Sequence, residues 1–265
     1  LPTRFAPLLP FALVSSFSAL ARAADLPDDG THVLPCRPTV ACTADIAAPG
    51  TVELELGTIH RHVVSPGPLW AFPFLAKLTL ARWVQVQVGS NGFTTAVQPD
   101  TATFFDNLNV VTKLHLTDAE ATGLLPSTAL SAALSFPVSS DQQGYVSTFD
   151  AIFVGYVSKD LGPIHADANA GVELWQLDGA VSPQAYGTLA LSTSLPFSFG
   201  VMAEGYYFSD ASPVATRDGG FLCALSYSPR PWLTFDAGGD VGFFPSVRTF
   251  SAFVGMTVAP VVLWK

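Results

Sequence analysis

The chain has 265 residues, 21 of them acidic and 12 basic, for a formal net charge of −9; 49% of its residues are hydrophobic and only 12% charged. An ordinary soluble domain carries about 25% charged residues, so a chain with a mean hydropathy of +0.39 is poorly suited to a wet surface on all sides. The acidic excess excludes an electrostatic footprint for nucleic acid and argues against docking on anionic lipid head groups.

The N-terminus combines Arg4, an interrupted apolar stretch from Phe5 to Leu20 and the small-x-small site Ala21-Arg22-Ala23. That is the grammar of a secretory signal over residues 1–23. Residues 24–50 follow without sustained periodicity and read as a periplasmic leader. Within it, Cys36 and Cys42 lie close together beside Pro35 and Pro38. In an oxidising compartment the two cysteines are expected to close a small disulfide loop, the alternative being two incidental thiols. Beyond the N-terminus no uninterrupted apolar run reaches the ~18 residues that a membrane-spanning helix needs.

From Thr51 onward apolar and polar residues alternate with period two, the pattern of strands with two unlike faces. In Val52-Glu53-Leu54-Glu55-Leu56 the carboxylates take one face, and in Trp83-Val84-Gln85-Val86-Gln87-Val88 the glutamines do. The segment 162–174 sets Ile164, Ala166, Ala168, Ala170, Val172 and Leu174 against His165, Asp167, Asn169, Gly171 and Glu173. Farther on, Leu233, Phe235 and Ala237 oppose Thr234, Asp236 and Gly238. The expected strands are 51–60, 71–80, 83–89, 104–116, 127–136, 148–158, 162–174, 184–195, 197–208, 219–228, 231–242 and 248–259. Short connections near 80–82, 159–162, 195–197 and 228–231 alternate with longer polar ones at 89–103, 137–147, 209–219 and 243–248.

This layout predicts an all-β fold, an antiparallel up-and-down transmembrane β-barrel of about 12 strands over 51–265, with short turns and both termini at the periplasmic end. One face of each strand would meet hydrocarbon and the other a polar lumen. A soluble barrel or sandwich also alternates; the turn asymmetry and low charge favour the membrane. Trp70, Trp83, Trp175, Trp232 and Tyr227 fall near strand ends, as girdle residues should. Cys223 alternates with Phe221 and Leu225 on the outer face.

On these motifs the chain resembles a known family. The acidic first strand at 51–57, the hairpin PFLAKLTLARWVQVQVGSNGF (73–93), VTKLHLTD (111–118), ALSFPVSS (133–140), VGYVSKDLGPIHADANAGVEL (154–174) and WLTFDAGGDVGF (232–243) are similar to the outer-membrane barrels labelled as MetA-pathway phenol-degradation proteins and, loosely, as transporters. The hairpin departs from that pattern in carrying Thr79-Leu80-Ala81-Arg82 at its turn. The resemblance implies passage of small molecules, apolar or aromatic ones included; the barrel layout itself implies the lipid bilayer and the outer-membrane assembly machinery as partners.

Alternation places Glu53, Glu55, Lys77, Lys113, His165, Asp167, Glu173, Glu204 and Asp236 in the lumen. Their mixed signs are expected either to pair across it or to set a field favouring cations and polar solutes. Two other readings stay open: a non-transporting structural or surface-binding barrel working through its loops, and an integral hydrolase using His165, Asp167 and Glu173. No GxSxG, HExxH or phosphate-cradling loop occurs in a fitting context, so no catalytic residue and no cofactor is assigned. His60 and His62 could share a side of a strand, but no further ligand follows at metal-site spacing.

Overall fold

The computed structural model describes residues 32–63, 68–97, 101–120, 123–138, 149–177, 180–210, 217–244 and 248–264. The expected signal at 1–23, and most of the connection expected at 137–147, lie outside these residues. Fifteen hydrogen-bonded segments form one sheet: β1 (Thr51–Val63), β2 (Leu69–Ala71), β3 (Phe74–Ala81), β4 (Val84–Ser90), β5 (Phe93–Val97), β6 (Thr101–Phe105), β7 (Leu108–Thr117), β8 (Ser127–Phe136), β9 (Asp150–Leu161), β10 (Ile164–Leu177), β11 (Ala180–Ser194), β12 (Phe199–Phe208), β13 (Asp218–Arg230), β14 (Leu233–Gly242) and β15 (Arg248–Val262). All pair antiparallel. The sheet closes where β1 meets β15, in a register running from Thr51↔Val262 to Val63↔Arg248, with an irregularity near each end. Closure leaves no free edge at the seam, which is what a β-structure surrounded by lipid requires.

Three wall strands are each interrupted once, at 72–73, 91–92 and 106–107, so the fifteen segments make a twelve-stranded barrel. The breaks are side by side. Phe72 N–H donates to Phe93 O (3.1 Å) and Asp106 N–H to Gly92 O (2.9 Å). Gly92 sits at φ +67, where a Cβ would lie 2.2 Å from Phe72 O. This corrects two expectations. The connection expected at 89–103 is mostly strand, because Asn91-Gly92 forms a kink within the wall and Phe93–Val97 resumes the alternation. The nine residues expected between the seventh and eighth strands reduce to two, because β10 runs on to Leu177 and β11 starts at Ala180. Conversely, nine residues separate β7 from β8 at the short-turn end.

Burial is the inverse of a soluble protein's. Glu53, Glu55, Lys77, Thr79, Lys113, Glu204 and Thr257 are buried, whereas Leu130, Leu189, Leu225 and Val254 are more than half exposed. A wall with its leucines outside and its carboxylates inside is stable only if the outer medium is apolar. Aromatic residues ring the two ends. Trp83, Phe197, Tyr227 and Trp264 are exposed at the short-turn end, and Trp70, Phe93 and Tyr207 toward the other. Trp175 departs from the expected girdle. It shares the inward parity of Asn169 and donates its indole N–H to Gln184 Oε1 (3.1 Å), a side chain that is itself buried.

Candidate functional site: a hairpin held in the lumen

The segment 32–50 occupies the lumen. It enters at the short-turn end, where Val33 N–H donates to Pro231 O (3.0 Å), and returns there, where Gly50 N–H donates to Thr79 O (2.8 Å) and Gly50 O accepts from Leu263 N–H (2.8 Å). Between these points the chain makes a hairpin rising to an apex at Val40-Ala41. Proline at 35 and 38 and the absence of periodicity keep it out of the sheet. Its backbone groups must therefore find partners among side chains of the wall.

The partners are the inward residues of the wall. Glu55 accepts from two consecutive backbone N–H groups, Cys36 (2.9 Å) and Arg37 (3.0 Å). Glu204 does the same at the apex, with Val40 and Ala41 each at 2.7 Å. Successive N–H groups pointing at one carboxylate form an anion-binding nest, here with the anion supplied by the barrel. Glu53 accepts from Leu34 N–H (2.7 Å). Asn169 clamps Cys42 from both sides, accepting from its N–H (2.7 Å) and donating to its carbonyl (2.9 Å). Ser158 Oγ accepts from Ala44 N–H (2.7 Å) and itself donates to Asp167 Oδ1 (2.5 Å).

Cations complete the seat. Lys77 lies between Glu53 (3.3 Å) and Glu55 (2.8 Å) and donates to Leu34 O (2.6 Å), so it serves the wall and the hairpin together. Lys113 donates to Thr43 O and Asp45 O and packs 4.7 Å from the centre of the Tyr156 ring. Arg37 is the hairpin's own cation. Its guanidinium reaches Asp236 Oδ1 (3.5 Å) and Val254 O (3.3 Å) while lying over Gly57 and Gly255, which pair across the seam. A Cβ on either glycine would fall within 2.6 Å of guanidinium atoms. Cys36 and Cys42 are joined by a disulfide that ties the two limbs just below the apex.

Of the nine residues expected in the lumen, Glu53, Glu55, Lys77, Lys113, Glu204 and Asp236 touch the hairpin directly. Asp167 acts through Ser158. His165 stands between Asp160 (2.7 Å) and Asp167 (3.2 Å) near the short-turn end. Ser158 donates to Asp167 and makes no bond to His165, so no nucleophile–base pair is assembled there. Glu173 shares the inward face and lies toward Asp150, beyond the hairpin contacts. His60 and His62 point outward, the ring of His60 4.6 Å from Trp70. Three participants were not singled out from the sequence. Ser158 and Asn169 carry no charge to mark them, although alternation put Asn169 on the polar face, and Arg37 sat in a segment without a pattern.

Space remains beside the hairpin. A cavity of about 300 Å³ is bounded by Arg37, Asp45, His165, Asp167, Ser228 and Asp236. A second, of about 230 Å³, reaches Asp160 and Pro163 at the short-turn end. The two share His165, Ser192, Met202 and Ser226.

No family model matches the chain, and no curated protein matches its sequence. Its fold does match solved structures. An outer-membrane channel from Pseudomonas putida F1 superposes with a TM-score of 0.61 at 10% identity, covering 84% of this chain and 99% of that one. The KdgM porin covers 77% and is covered to 98%, with a TM-score of 0.49 at 11% identity. The first likeness shows the fold, a closed twelve-stranded barrel of the outer-membrane type.

Proposed function

We propose that the protein is an outer-membrane channel for small polar solutes, constricted by the hairpin 32–50, with cations favoured over anions. The observation that carries this reading is the pair of adjoining carboxylate-lined cavities that pass beside the hairpin toward the short-turn end. Around them stand Asp45, Asp160, Asp167 and Asp236, against Arg37, which is engaged with Asp236, and His165, which is flanked by two carboxylates. In a narrow path with low-dielectric walls such an imbalance concentrates cations. The first cavity is also bounded by Val33, Leu34, Pro35, Ala190 and Met202, so the apolar parts of a solute, as the family resemblance implies, would find contacts there as well. The barrel fold and apolar outer wall support placement in the outer membrane.

Planar-bilayer recording tests the proposal. The intact protein should show a small conductance whose reversal potential in a salt gradient lies on the cation side. Deleting residues 32–46 should raise the conductance severalfold. Absence of conductance in both forms, with the barrel folded, would instead support a structural barrel sealed by its own hairpin.

A further inference from the structure

We infer that the Cys36–Cys42 disulfide is a latch on the hairpin, so that thiol–disulfide exchange sets how often the channel is open. The inference rests on the channel reading above. Both limbs of the hairpin leave by the short-turn end, held there through Leu34 and through Thr43, Ala44 and Asp45, while the upper part, 36–42, is seated by the two bidentate carboxylate contacts and the Asn169 clamp. Each bidentate contact needs two consecutive N–H groups held at one carboxylate. Residues 36–37 and 40–41 meet that demand together because the link between 36 and 42 fixes the turn between them.

The link also acts on the released state. A hairpin that has left Glu55 and Glu204 gains chain entropy, and a cross-link spanning a sequence separation of 6 removes much of that gain. Oxidation therefore disfavours release, and reduction favours it. The disulfide is within reach. Cys36 and Cys42 are half-buried, and Val40 at the apex is exposed to the lumen, so the bond is not sealed in a core.

The reaction is an ordinary exchange with a dithiol reductant. One thiolate of the reductant attacks Sγ of Cys36 or Cys42, the S–S bond breaks, and a mixed disulfide forms. The reductant's second thiol then displaces the protein sulfur. Two electrons and two protons pass to the protein, leaving two cysteine thiols and the reductant's disulfide. The other cysteine, Cys223, faces outward on β13 and has no part in this.

Single-channel recording of the folded protein, before and after a membrane-impermeant dithiol or phosphine reductant is added, tests the latch. Reduction should raise the open probability about fortyfold, the order expected for loss of so short a cross-linked loop. Reoxidation should restore the starting level. The Cys36→Ser/Cys42→Ser double variant, checked for folding by heat-modifiable migration, should resemble the reduced protein and ignore the reductant. Equal open probability in all these forms overturns the latch if deletion of 32–46 still raises conductance. If that deletion has no effect either, the channel reading itself fails.

Discussion

Lys77 is buried in a cluster of three charges. Its side chain and those of Glu53 and Glu55 are no more than 2% exposed, and the single ammonium faces two carboxylates. Taking charges out of water is costly, and the cost is recovered only while each has its partners. Lys77→Met would leave two carboxylates with one another and would also free Leu34 O. The expected loss at neutral pH is about 3–5 kcal/mol, the range for breaking a buried pair from one side. Thr79→Ala, two residues along on the same inward face, gives up one neutral hydrogen bond from Gln85 and should cost about 1 kcal/mol. Urea unfolding in lipid vesicles measures both. Equal losses would mean that the ion cluster contributes no more than ordinary packing. Alternation in the sequence was sufficient to turn Glu53, Glu55 and Lys77 inward; their bond to a hairpin was invisible because they hold backbone groups, which every residue carries.

At the scale of elements, what could and could not be read has a physical division. Strands were legible because lipid and lumen impose opposite chemistry at every second residue. That signal weakens where the wall kinks. At 91–92 a turn dipeptide lies inside a strand, and only the adjacent kinks at 72–73 and 106–107 make sense of it. The hairpin had no periodic signal at all, since its two faces meet the same polar interior; its cysteine pair and prolines marked a compact loop without saying where it lodged. The kink can be tested at Gly92. Alanine there would adopt φ +67 under strain and place its Cβ 2.2 Å from a backbone oxygen. Gly92→Ala should cost about 1–3 kcal/mol. The loss should appear as faster amide exchange confined to β2, β5 and β6, with β9–β12 unchanged. Uniform acceleration around the barrel would show that the kink carries no separate element.

For the whole molecule, the decisive quantity is the medium that surrounds it. Leu189 lies within β11, on the outer face and 51% exposed, whereas Leu195 follows the end of that strand at the short-turn end and is 43% exposed. In water the two would be nearly equivalent, and replacing either by arginine would change stability little. In a bilayer they differ by depth. An arginine near mid-plane costs about 2–4 kcal/mol and one near the interface about 0–1 kcal/mol. Leu189→Arg should therefore destabilise the vesicle-embedded barrel far more than Leu195→Arg, as read from urea midpoints. The contrast is independent of the lumen and its hairpin, because both side chains are on the outer surface. A soluble barrel with the same topology would give two small and equal effects, since exposed leucine and exposed arginine are both tolerated by water. The depth difference thus discriminates between two molecules whose strands, register and seam would be the same.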